Sequence, residues 1–121
     1  MNSILVVEDN DLNYFLIKEI LRDYDITLAR ASNGKEFFSI ISTSKNFDLV
    51  LMDLMLPDTD GIELTKYLID NKIFIPIVFI SAYSERCEEI FELGVEYFLQ
   101  KPVMPELFLS VISKYFSLTA I

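Results

Sequence analysis

Apolar residues fall along this chain in short continuous runs that alternate with longer stretches of helical periodicity. Ile4-Leu5-Val6-Val7 is the first fully apolar run, and Glu8-Asp9-Asn10 follows it at once. A period near 3.6 then takes over: Asn13, Leu16, Ile17, Ile20, Leu21 and Tyr24 share one face, with Leu12, Phe15, Glu19 and Arg22 on its flank. Ile26 to Ala31 alternates as a half-exposed strand does, and Asn33 with Glu36 has the spacing of a capping box opening a second helix. Leu49-Val50-Leu51-Met52 is the next apolar run, ending in Asp53 and a Pro57/Asp58/Asp60/Gly61 cluster. Asp60 and Glu63 repeat the cap spacing and start a third helix, with Leu64 and Leu68 inward. Pro76 to Ile80 is a fourth strand ending at Ser81-Ala82, followed by a short acidic helix over roughly 84–92 that Gly94 closes. Val95 to Gln100 is a mixed strand ending in Lys101-Pro102, and Pro105 opens a last helix carrying Leu107, Phe108, Val111, Ile112, Tyr115 and Phe116.

Five strand–helix units in strict alternation predict a doubly wound, five-stranded parallel sheet with helices on both faces. Strands one, three and four are apolar throughout and belong in the centre. Strands two and five carry Arg30, Glu96 and Gln100 and belong at the edges. The order 2-1-3-4-5 satisfies this and puts the crevice for ligands beside strands one and three.

That order gathers chemistry at one rim. Glu8 and Asp9 leave strand one, Asp53 ends strand three, Ser81 strand four and Lys101 strand five. Taken singly, each has a plainer reading: a solvated turn, a helix cap, a satisfied hydroxyl, a surface charge. Their convergence is harder to explain that way. At an effective dielectric near 20, two carboxylates about 4 Å apart repel by on the order of 4 kcal/mol. A divalent cation and an ammonium relieve this, and carboxylate oxygens with a carbonyl and waters suit Mg2+. Around such a cation, Asp53 reads as a nucleophile toward phosphorus and an acyl phosphate as the product.

Composition narrows the picture. The 121 residues suffice for one domain with a core, and 52% hydrophobic content excludes disorder. Apolar stretches are too short to cross a bilayer, and Met1-Asn2-Ser3 leads toward the first strand without a basic signal region. With a single cysteine, Cys87, no internal disulfide forms, which fits a reducing cytoplasm. The net charge of −9 argues against nucleic-acid binding. No histidine is present, so neither a histidine acid/base nor a phosphohistidine carrier can be built from this chain.

Glu8-Asp9, Met52-Asp53-Leu54-Met55-Leu56-Pro57 with Asp60-Gly61, Ser81-Ala82 and Lys101-Pro102 together resemble the motif set of the receiver domain of bacterial two-component response regulators. The gaps from Asp9 to Asp53 and from Asp53 to Ser81 fit that family, and the likeness spans essentially residues 1–121 as one flavodoxin-like (βα)5 domain. The resemblance implies that Asp53 is the phosphoacceptor for a phosphohistidine on a histidine kinase or histidine phosphotransfer protein. It implies that Asp9, Asp53 and the Met55 backbone carbonyl ligate Mg2+, with Glu8 acting through a water. Ser81 and Lys101 are then expected on phosphoryl oxygens, Lys101–Pro102 is expected to be cis, and Phe98 falls at the switch position. Such a domain is a signalling module, not an enzyme acting on other substrates.

The chain departs from that pattern in places. Phe98 lacks a hydroxyl, so any switch there rests on packing, and the residue reads equally well as core. The Ser81-to-Lys101 gap is slightly short, and Glu85, Glu88, Glu89, Glu92 and Glu96 make the region acidic. That favours a monomer or weak dimer and a heterotypic partner over symmetric pairing, although a charge run is also simply a solvated face. Met55 and Tyr83 stand two residues after Asp53 and Ser81, where the resemblance implies gating of water; neither carries a group to orient it, which predicts slow self-hydrolysis. Leu12, Asn13, Phe15 and Pro102 form the expected docking surface for the phosphodonor, unless the apolar members pack under loops. Three rival readings remain. A haloacid-dehalogenase-type phosphatase lacks its second aspartate, because Met55 stands there. A flavin carrier is disfavoured by Glu8-Asp9. A phosphorylation-independent interaction module is the runner-up.

Overall fold

The computed structural model describes residues 2–121, and Met1, read above as leading toward the first strand, lies outside them. Among the described residues, strands and helices alternate as β1 (Asn2–Val7), α1 (Asp11–Leu21), β2 (Ile26–Ala31), α2 (Gly34–Thr43), β3 (Leu49–Met52), α3 (Gly61–Asp70), β4 (Ile77–Ser81), α4 (Cys87–Glu92), β5 (Tyr97–Gln100) and α5 (Pro105–Ile112). The strands pair in parallel in the order β2-β1-β3-β4-β5, as the pattern predicts. In register, Val7 lies beside Ala31 and Met52, and Met52 beside Phe79, so the strand ends form a common rim.

Alternate residues of the central strands feed two cores, because successive side chains point to opposite faces. Leu5, Val7, Val50, Met52 and Phe79 pack with Phe37, Ile41, Ile62, Leu68 and Ile90 of α2, α3 and α4. Ile4, Val6, Leu49, Leu51, Val78 and Ile80 pack with Ile17 and Leu21 of α1 and with Phe108, Val111 and Ile112 of α5. Each fully buried Leu, Ile or Phe contributes roughly 1.5–3 kcal/mol of transfer free energy. The continuous apolar runs therefore reflect strands covered on both sides.

The caps explain where helices begin. Asn10, Asn33 and Asp60 each accept from the amide three residues on, at 2.9, 2.8 and 2.9 Å. Glu36 does not close the reciprocal half of a capping box: it accepts from the Ser32 N–H at 2.7 Å instead. A second cap on α2 comes from far along the chain, where Asp58 accepts from the Gly34 and Lys35 amides at 2.8 and 3.1 Å. These bonds hold the Asp58 carboxyl below its ordinary pKa. Gly94, at φ +94°, terminates the α4 segment as expected.

Four local expectations are corrected. Leu16 is exposed, not inward, joining Leu12 and Phe15 on the outer side of α1. The α4 helix begins at Cys87, leaving 84–86 in the preceding turn, and β5 begins at Tyr97. The last helix ends at Ile112, so Tyr115 and Phe116 pack from the chain beyond it. That chain turns back: Asp25 N–H donates to Thr119 at 2.7 Å and Ile121 N–H to Asp23 at 3.0 Å, an antiparallel clip with no advance signal.

Candidate functional site

The rim side chains are set by backbone bonds that continue the ladder one residue past each strand. Glu8 N–H donates to Ala31, Asp53 N–H to Val7 and Lys101 N–H to Ser81, each at 3.0 Å. The Asp53 turn then folds on itself: Leu56 N–H donates to Thr59 at 3.2 Å and Gly61 N–H to Leu54 at 2.8 Å. Neither bond uses the Met55 carbonyl. Gly61 is required for space, because a Cβ there would lie 2.4 Å from the Asp53 carbonyl and 2.8 Å from both Met52 Cγ and Phe79 Cε2.

Lys101 Nζ donates to Asp53 Oδ2 at 2.8 Å and to Glu8 Oε1 at 2.7 Å. Glu8 and Asp53 are only 2% and 5% exposed. Glu8 also accepts from the Asn10 amide at 3.2 Å, and Asp53 Oδ1 has a long 3.4 Å contact from the Met55 amide. Glu8, Asp9 and Asp53 each offer a carboxylate oxygen within 4.8 Å of the others. Burial raises the Glu8 pKa to about 7, the Asp53 charge adds to the rise, and the Lys101 bond opposes it. Burial pulls Lys101 down, but its bonds to Asp53 and Glu8 outweigh this and keep it above its ordinary value. One ammonium, bonded to two of the acids, thus serves a cluster of three, an excess of negative charge that favours a further cation. The donor set is all oxygen, which fits a hard ion such as Mg2+.

Other expected residues sit nearby in different states. Ser81 is fully buried, and its hydroxyl accepts from the Tyr83 amide at 3.2 Å without bonding the acids. Met55 and Tyr83 are both 52% exposed at the rim. Phe98 is half-buried against the α2–α3–α4 core. Leu12 and Phe15 are exposed, Asn13 is half-buried, and Pro102 is exposed after a cis peptide. Two connections were not legible in the sequence. Arg30 Nε donates to the Glu8 carbonyl at 3.1 Å, and Arg86 joins Asp60 at 3.2 Å while pairing with Glu89.

A parallel 2-1-3-4-5 sheet whose carboxyl rim gathers acids, an ammonium and a hydroxyl defines the class of doubly wound α/β receiver domains. The chain belongs to the response regulator receiver domain family, whose model matches residues 4–113. The polar-differentiation response regulator DivK of Brucella anthropi is 32% identical over 117 residues, covering 93% of this chain and 94% of that protein. Among solved structures, the Francisella response regulator 1452 receiver domain has a TM-score of 0.85 at 28% identity, covering 95% of this chain and 96% of that one. The response regulator TrrA from Thermotoga maritima, in complex with Mg2+ and BeF, also scores 0.85, at 25% identity over 96% of this chain and 100% of that one. The chain is a phosphoacceptor module of two-component signalling, and domains of its family interact with histidine kinases or phosphotransfer proteins. No helix among the described residues is long and apolar enough to cross a membrane.

Proposed function

We propose that Asp53 accepts the phosphoryl group in a two-component phosphorelay, with Mg2+ held by Asp9, Asp53 and the Met55 carbonyl and with Glu8 acting through a water. The observation that carries this is the buried Asp53 carboxylate, held at 2.8 Å by Lys101 inside a three-acid cluster. When bound, the cation neutralises charge on the phosphoryl oxygens. An Asp53 oxygen forms a bond to phosphorus as the bond to the donor imidazole nitrogen breaks. The electron pair stays on that nitrogen, which takes up a proton from solvent. Lys101 follows the developing charge from Asp53 toward a phosphoryl oxygen. The Ser81 hydroxyl leaves the Tyr83 amide to donate to another, and that shift of the β4–α4 turn is the signal. Phe98, packed between the sheet and α4, responds by repacking.

The donor is a histidine kinase or histidine phosphotransfer protein that docks on Leu12, Asn13, Phe15 and Pro102, and this reading goes with a cytoplasmic location. The domain catalyses only its own phosphorylation and slow self-dephosphorylation, because Met55 and Tyr83 shield the acyl phosphate without a group to orient water. Intact-mass measurement after acetyl phosphate with Mg2+ tests the assignment. One phosphoryl mass is expected on the native chain and none on Asp53→Asn. No gain on the native chain would favour the phosphorylation-independent interaction module.

A further inference from the structure

Asp9 is the exposed member of the acid cluster, and it makes no hydrogen bond or ion pair of its own among the described residues. Its position depends on the peptide from which it hangs. The Arg30 side chain, at the end of the β2 edge strand, touches that stretch on both sides of Asp9. Nε donates to the Glu8 carbonyl, the oxygen of the Glu8–Asp9 peptide, at 3.1 Å, and Nη1 meets Asp11 Oδ1 at 2.8 Å. The guanidinium also lies over the Tyr14 ring, 4.8 Å from its centroid, which ties it to the first turn of α1. Nη2 is buried without a hydrogen-bond partner among the described residues. An ammonium at this position could not reproduce the planar fork.

We propose that Arg30 is a positioning residue for the cation site: it fixes the Glu8–Asp9 peptide plane and the start of α1, so that Asp9 is presented to the metal before the metal arrives. This rests on the reading of Glu8 and Asp9 as cation-binding acids. A positive group close to a cation site opposes binding through its charge, whereas the clamp favours binding through geometry. The two effects have opposite signs, and that makes the role measurable.

Mg2+ is titrated calorimetrically into the full chain and into Arg30→Gln and Arg30→Lys, with urea midpoints recorded for all three. The clamp predicts that both variants bind Mg2+ more weakly, on the order of tenfold, as for other groups that orient metal ligands. Arg30→Lys should lose at least as much as Arg30→Gln, since it keeps the opposing charge without the fork that holds the peptide. Tighter binding by Arg30→Gln with native binding by Arg30→Lys would show a charge effect and overturn the proposal. Lower urea midpoints with unchanged Mg2+ affinity would show a merely structural role and equally overturn it. Absence of Mg2+ binding by the native chain would instead defeat the cation-site reading beneath it. Arg30→Lys, a substitution at a half-exposed edge position, keeps the test available if Arg30→Gln does not fold.

Discussion

Burial of Glu8 couples the fold to protons, and the coupling has a definite sign. Its carboxyl is buried beside Asp53, and its pKa rises from an ordinary 4.5 to about 7 in the folded, metal-free protein. Between those values the folded chain holds a proton that the unfolded chain has released. Stability from this group is therefore fully present below 4.5 and is lost as pH rises through about 7. At about 1.4 kcal/mol per pH unit, the loss amounts to about 3 kcal/mol. On the proposed role of Glu8 at the cation site, a divalent cation takes the place of the proton, so the loss should shrink at saturating Mg2+ and metal affinity should rise with pH. With a pKa near 7, about a tenth of Glu8 is ionised at pH 6 and about nine-tenths at pH 8, a change of about tenfold in apparent affinity. Urea unfolding at pH 5 and pH 8 in chelator, repeated with Glu8→Gln, isolates the term, since every other titrating group is common to the two proteins. Glu8→Gln should lose roughly 2–3 kcal/mol less than the native chain over this range. Equal losses in the two proteins, or native Mg2+ affinity that does not change between pH 6 and pH 8, would refute the reasoning.

Four further outcomes are expected. Gly61→Ala should lower stability by roughly 1–3 kcal/mol in urea unfolding, because its Cβ would meet the Asp53 carbonyl, which cannot swing aside. Phe15→Ala should slow phosphoryl transfer from the cognate histidine donor while leaving labelling by acetyl phosphate unchanged; equal slowing of both would place Phe15 in the chemistry and not in docking. The acyl phosphate, timed by loss of radioactive phosphate, should outlast seconds on the native chain. Met55→Asp should shorten that lifetime by on the order of tenfold by giving the attacking water a base.

How much of this was legible depended on whether the cause was local. Covered strands need continuous apolar runs, and a capped helix start sets a side-chain acceptor three residues before an amide, so β1, β3, β4 and the caps of α2 and α3 could be read directly. The sheet order followed from which strands carried charge, and that order alone brought Glu8, Asp9, Asp53 and Lys101 to one rim. Leu16 went the other way: its period fitted the inward face, but the width of the buried stripe is set by how closely a helix lies against the sheet. The Arg30 clamp, the Asp58 cap on α2 and the return of residues 119–121 to Asp23 and Asp25 left no pattern in the chain. Each joins groups that are distant in sequence through a pair of directional bonds. Periodicity records which faces are buried. Directional bonds between remote segments depend on distances and angles that exist only once the layers have packed.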